Sequence, residues 1–142
     1  DLSKVVAANI ELKFMKKFQI EPKSLNLNTT TRKYTKKNYT ICFNGFRSIC
    51  PVTSQPDFAK IYILTSVKIE TKWLRKLLLS FKESGEFHEQ CIENIFSKLC
   101  KKFPDENMEV CGRFLRRGGI DINPIRSSKK ILFFKNFRAF NQ

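Results

Sequence analysis

Two apolar stripes at helical spacing lie back to back in the middle of the chain, and they constrain the fold more than any other feature. Trp73, Leu74, Leu77, Leu78 and Phe81 share one face of a helix predicted over Glu70–Lys82. Gly85 breaks it. Phe87, Cys91, Ile95, Leu99 and Phe103 then recur at helical spacing, with Ile92 and Phe96 widening the stripe, until Pro104 stops the second helix. Strand signals flank the pair. Lys60–Ser66 is β-branched and aromatic after the turn signal Gln55-Pro56. Met108–Leu115 reads as a strand, Arg116–Gly119 as a tight turn and Ile120–Ile125 as a further strand. Strands, two adjacent helices and strands again predict an α+β domain, both helices lying on one face of a mostly antiparallel sheet.

The first third is patterned less sharply. A strand is predicted near Ile10–Phe18, a polar loop from Asn26 to Asn38, and a short strand over Tyr39–Phe43 that Gly45 ends. Residues 1–45 are therefore read as an N-terminal segment or connection, and residues 46–142 as the main module. At the other end, Ile131–Phe140 is apolar and basic and yields no element. The 142 residues suffice for one domain with a real core.

Composition excludes more than it selects. No apolar run approaches the roughly 18 residues of a membrane span, and Asp1, Lys4 and Val5–Ala8 do not make a signal peptide. A cytoplasmic protein is expected. Cysteines stand at 42, 50, 91, 100 and 111, none in a C-x-x-C pair, and His88 is the sole histidine, so a Cys/His zinc centre lacks ligands. The net charge of +14 suits nucleic acid or a phosphorylated cofactor. It also suits compositional drift, because Lys16–Lys17, Lys36–Lys37, Lys101–Lys102 and Lys129–Lys130 are scattered rather than gathered. No G-x-G-x-x-G, Walker A or H-E-x-x-H pattern occurs. A dinucleotide would have to be bound without a Rossmann fold.

Three places could carry chemistry. Cys50 opens an irregular stretch between Pro51 and Pro56, and a turn there could fold Asp57 back towards the thiol, pairing a nucleophile with a proton donor. His88-Glu89 falls in the first turn of the second helix, where a carboxylate complements the positive end of the helix dipole. The same pair could clamp a substrate, Glu accepting N–H bonds while His donates or shuttles a proton. Arg116-Arg117-Gly118-Gly119 joins forked cations to glycines that let a phosphate approach the backbone. Each also has an ordinary structural reading: a loop cysteine with a turn-capping carboxylate, a helix N-terminus, a hairpin turn.

Taken in order, Cys50-Pro51-Val52-Thr53-Ser54-Gln55-Pro56-Asp57-Phe58, Gly85-Glu86-Phe87-His88-Glu89 and Arg117-Gly118-Gly119-Ile120-Asp121-Ile122-Asn123-Pro124 resemble the QueF family of nitrile reductases. The resemblance implies the tunnelling fold, an antiparallel sheet with two adjacent helices, shared with GTP cyclohydrolase I. It implies NADPH-dependent reduction of 7-cyano-7-deazaguanine to its aminomethyl form, a step of queuosine tRNA modification. The residue matching Cys50 would form a covalent thioimide and that matching Asp57 would donate a proton. Those matching His88 and Glu89 would bind the deazaguanine, and Arg117 with Gly118 would contact NADPH. Sheets of this fold normally complete a barrel with other modules, so a homo-oligomer or a pairing with an N-terminal module is expected, with no direct nucleic-acid or membrane contact.

The chain also departs from the pattern. Where single-module members open the first helix with Glu-Ser-Lys-Ser-Leu-Lys, it has Glu70-Thr71-Lys72-Trp73-Leu74-Arg75, and the indole displaces a serine. With Phe87–Cys91, Ile122–Ser127 and a first residue that is Asp, this resembles the C-terminal module of the family's long form. Three rivals stand beside that reading. One is a cyclohydrolase-like enzyme of the same fold, which needs zinc. Another is a basic nucleic-acid-binding module, and the last a module that binds substrate yet turns over poorly.

Overall fold

The computed structural model describes residues 7–142. Most of the signal-peptide stretch, Asp1 and Lys4 included, lies outside the described residues. Five strands form one sheet in chain order: β1 (Leu25–Asn26), β2 (Tyr39–Ile49), β3 (Pro56–Thr65), β4 (Met108–Phe114) and β5 (Ile125–Ser127). Neighbours from β2 to β5 are antiparallel, and the two-residue β1 adds to β2 in parallel. Between β3 and β4 come α1 (Thr71–Leu79) and α2 (His88–Lys102). The expected α+β order is present.

Side-chain alternation sorts the sheet into two faces. Ile41, Phe43, Phe46, Ala59, Ile61, Ile63, Val110 and Phe114 pack under Leu74 and Leu78 of α1 and Ile92, Ile95 and Leu99 of α2. Cys42, Tyr62 and Cys111 face the other way, where Phe134 and Phe137 cover them. The unassigned C-terminal stretch is thus a cover without regular structure. It is pinned by polar bonds: the Glu109 carboxylate accepts the N–H groups of Phe133 and Phe134 at 2.9 and 2.7 Å. Arg113 donates to the Lys135 carbonyl at 2.7 Å.

Four expectations need correction. Gly45 does not end its strand. Between Phe43 and Phe46 the β2–β3 register shifts, with Phe43 opposite Ile61 and Phe46 opposite Ala59, so one extra residue bulges out. Gly45 supplies the required φ of +73°. The division at residue 45 accordingly falls inside β2. Ile10–Phe18 forms no strand: Leu12, Phe14 and Ile20 are exposed, and Gln19 alone bridges, to Phe137. The β2 edge is occupied by other residues, since Leu27 N–H bonds the Cys42 carbonyl and the Asn28 side chain takes both backbone groups of Asn44. The last strand begins at Ile125 rather than Ile120, because Pro124 has no N–H for a ladder and offers only its carbonyl, to Gly112.

Candidate functional site

The bulge decides where Cys50 points. Before it, odd-numbered residues of β2 face the helices; after it, even-numbered ones do, so Phe46 and Ser48 lie on that face. Cys50 continues the alternation, and its N–H bonds the Gln55 carbonyl at 2.8 Å as β2 turns towards β3. Ser48 stands opposite Asp57 in the ladder. The register thus sets Cys50 diagonally across from Asp57, close enough for the carboxylate charge to act on the thiol. The intervening turn is tight: Ser54 N–H returns to the Cys50 carbonyl at 2.9 Å, and Ser54 adopts a left-handed φ of +58°.

The thiols differ in electrostatics. Burial pushes Cys91 up to about 11 and Cys111 up to about 12, and raises Cys100 as well. Cys50 moves the other way. The Thr53 hydroxyl, then the backbone amides of Thr53 and Val52, lower its pKa against opposition from burial and the Asp57 charge. A lowered thiol next to donor groups is the microenvironment of a nucleophile.

Asp57 is 5% exposed and sits at the centre of the site. His88, the first residue of α2, brings Nε2 to 3.2 Å from Asp57 Oδ2. Arg117 reaches in from the turn after β4: Nε donates to Asp57 Oδ1 at 3.0 Å, and Nη2 donates to the same oxygen. Its remaining bonds go to Gln55 Oε1 and the Pro56 carbonyl, both at 3.0 Å. The turn is a two-residue hairpin closed by reciprocal Arg117–Ile120 backbone bonds of 3.0 and 2.9 Å. Gly118 and Gly119 both take positive φ, as such a turn requires. Glu89 follows His88 and is exposed.

The structure thus brings Asp57, His88 and Arg117 into contact, sets Cys50 diagonally across from Asp57, and leaves Glu89 and Gly118 at the surface. Two members of the site were not evident in the sequence. Gln55 was legible only as a turn residue, yet it holds Arg117. Phe114 reads as a core strand residue, yet its ring stacks on His88 with centroids 3.9 Å apart and planes 9° from parallel.

The divergent start of α1 is committed elsewhere. Thr71 Oγ1 donates to the Arg32 carbonyl at 2.6 Å, and Arg75 Nε donates to the Leu27 carbonyl at 2.6 Å. Trp73 packs edge-on against Phe103 at 6.2 Å, with Lys102 over its face. These residues tie α1 to the loop before β2 and to the end of α2. Among the described residues no three Cys, His, Asp or Glu side chains gather as a metal site, and no helix is long and apolar enough to cross a membrane.

An antiparallel sheet carrying two adjacent helices, with a thiol and an ion-paired carboxyl where the turns meet, defines the class: an α+β protein of the tunnelling fold. The apo crystal structure of the archaeosine synthase QueF-Like shares that fold, with a TM-score of 0.57 at 12% identity, covering 72% of this chain and all of that one. Residues 56–132 match the model of the family described as QueF-like protein, and the chain belongs to that family. Several relatives bear the name NADPH-dependent 7-cyano-7-deazaguanine reductase. That of Buchnera aphidicola subsp. Schizaphis graminum is 42% identical over 78% of this chain and 42% of its own length. That of Legionella pneumophila (strain Lens) is 45% identical over 68% of this chain and 34% of its own length. For Bacillus pumilus the figures are 41%, 69% and 62%. The chain spans less than two thirds of each of these relatives.

Proposed function

We propose that this chain carries the covalent chemistry of an NADPH-dependent nitrile reductase, converting 7-cyano-7-deazaguanine to 7-aminomethyl-7-deazaguanine. The observation that carries the reading is the pairing of a lowered Cys50 thiol with a buried Asp57 on one sheet face, at the mouth formed by the β2–β3 and β4–β5 turns. Cys50 Sγ attacks the nitrile carbon. One π bond of the nitrile is lost as the S–C bond forms, and the proton that the Cys50 thiol gives up is taken by Asp57 and passed to the nitrogen, leaving a thioimide. His88 and Glu89 hold the deazaguanine, Glu89 accepting from its N–H edge.

Arg117 and Gly118 meet the cofactor. The fit is supported by the Arg117 side chain being 43% exposed and by open space within 4 Å of where a Cβ would stand on Gly118 and Gly119. A forked cation on a turn whose backbone can be approached closely suits a phosphate. Two NADPH molecules, bound in turn, would supply the two hydrides that a nitrile-to-amine conversion requires. Arg117 exchanges part of its hold on Asp57 for that anion, and Gln55 and Pro56 keep the guanidinium near the carboxyl meanwhile.

The reading includes a second module of the same fold, either another copy or the N-terminal part of a longer protein. Cys50, Asp57, His88 and Glu89 line neither principal cavity. The larger, about 810 Å³, lies at the far end of β3 around Leu64, Met108 and Leu132. A second module seated against the β2–β3 and β4–β5 turns would wall in a deazaguanine held at Asp57. A working thiol also needs a reducing compartment, and we assign the protein to the cytoplasm.

Mass spectrometry after incubation with the nitrile, without cofactor, tests the core of the proposal. One substrate mass should add to the protein, Cys50→Ala should abolish the adduct, and Asp57→Asn should slow its formation about a hundredfold. An adduct that persists in Cys50→Ala would overturn the assignment.

A further inference from the structure

We infer that Phe114 is a positioning residue for His88, and that Gly112 is glycine so that Phe114 can lie where it does. The inference rests on the reading that His88 holds the substrate. An imidazole at the first residue of a helix can turn about its outer side-chain bond, and a single contact at one nitrogen leaves its plane undefined. His88 Nε2 has that contact, 3.2 Å from Asp57 Oδ2. The plane is set by Phe114, whose ring lies 3.9 Å away and within 9° of parallel. With one nitrogen and the plane fixed, the direction of the other follows. Nδ1 is buried and has no hydrogen-bond partner among the described residues, while the His88 residue is only 8% exposed. A buried ring nitrogen without a partner is costly unless a ligand or an arriving surface satisfies it. Phe114 decides where that nitrogen is offered.

Phe114 is itself held. It is fully buried at the end of β4 and meets Phe46 edge-on at 6.1 Å. Two residues back on the same face is Gly112, where an added Cβ would stand 2.7 Å from Phe114 Cε2 and 2.9 Å from Ile92 Cδ1. Ile92 lies one turn along α2 from His88. A methyl group there must push the Phe114 ring and the tip of the Ile92 side chain aside, and movement of the ring opens the stack. Residues 112 and 114 of one strand thus shape the imidazole at the start of the helix above it. Arg117, three residues beyond Phe114, grips the same carboxylate from the other oxygen. One strand and its turn therefore hold both partners of Asp57.

His88 is the sole histidine, so its ring resonances are assigned without ambiguity by NMR. In the unaltered protein its carbon-bound ring protons should lie upfield of their unfolded positions, because they sit over an aromatic face. Phe114→Leu should abolish that displacement, Gly112→Ala should reduce it, and Phe114→Tyr should keep it. The nitrile concentration giving half-maximal Cys50 adduct should rise about tenfold in Phe114→Leu and Gly112→Ala, with the limiting rate changed less, and Phe114→Tyr should restore it. If Phe114→Leu fails to fold, Gly112→Ala supplies the same comparison with the ring still present. Absence of upfield displacement in the unaltered protein would overturn the stack. A concentration dependence unmoved in both variants, alongside a lowered melting temperature, would reduce Phe114 to a core residue. If His88→Ala leaves adduct formation untouched, the substrate role of His88 is what fails, and the NMR comparison, which needs no substrate, still decides the stack.

Discussion

At the scale of single residues, the site depends on hydrogen bonds that favour one charge state of one sulfur. The Thr53 hydroxyl is the largest influence lowering the Cys50 thiol, followed by the amides of Thr53 and Val52. The sign is direct. Adduct formation follows the thiolate fraction, so its rate rises with pH and levels off above the thiol pKa. A lowered thiol brings that plateau to a lower pH than the same thiol would show without these hydrogen bonds. Thr53→Val removes the hydroxyl and nearly preserves side-chain volume, so its profile should shift to higher pH with the plateau rate almost unchanged. Stopped-flow rates between pH 6 and 10 make the comparison, and superimposable profiles would show that Thr53 does not tune the sulfur. Asp57 illustrates the opposite regime. Its two oxygens are shared between His88 and Arg117, so its chemistry belongs to a cluster of three side chains drawn from β3, α2 and the turn after β4.

At the scale of elements, β2 orients the Cys50 turn through its bulge. The residue at position 45 must adopt φ near +73°, and open space surrounds its missing side chain, so conformation alone selects glycine. Gly45→Val should cost about 1–3 kcal/mol in denaturant unfolding and lower the adduct yield, because a straightened strand turns Ser48 and Cys50 to the wrong face. Gly45→Asn, which tolerates the left-handed region, should lose little. Equal stability of all three proteins would mean that the bulge does not set the register. The same strand marks the limit of what the sequence discloses. Leu74, Leu78, Ile92, Ile95 and Leu99 face the sheet from one side, so helical periodicity discloses both helices, although the first ends at Leu79 rather than Lys82. Gly45 reads as the end of a strand because strand-ending turns and bulges demand the same left-handed glycine, and only pairing with β3 tells them apart. Ile120 and Ile122 alternate like a strand but face away from the core, and Pro124 delays pairing to Ile125. In the site, Cys50, Asp57, His88 and Arg117 stand out in the sequence as reactive or charged side chains, each with an ordinary structural reading beside it, and the fold brings Asp57, His88 and Arg117 into contact. Phe114 does not stand out, since an aromatic in an apolar strand looks the same whether it fills a core or supports an imidazole.

At the scale of the whole molecule, the sheet separates a chemical face from a structural one. The helical face ends in the Asp57 cluster, whereas the opposite face is closed by residues 131–142, which make no strand or helix and so depend on side-chain anchors. Basic side chains are dispersed over both faces, with Lys98 over Phe81, Lys102 over Trp73 and Arg113 over Phe137. That dispersal fits drift better than a single polyanion footprint. Glu109 is the decisive anchor of the cover, a buried carboxylate whose two oxygens take the amides of consecutive residues. Glu109→Ala leaves both amides without their acceptor and loosens Phe134 from Tyr62, at a cost of about 2–4 kcal/mol for two charge-assisted bonds. The melting temperature should fall by roughly 4–15 °C for a domain of this size, and hydrogen exchange at Phe133 and Phe134 should accelerate well ahead of exchange in β3. Glu109 points away from Asp57, so the pH profile of Cys50 adduct formation should stay where it was at temperatures below the new transition. Slow exchange retained at both amides would show that the aromatic contacts alone hold the cover. A displaced pH profile would show that the two faces are coupled through the sheet.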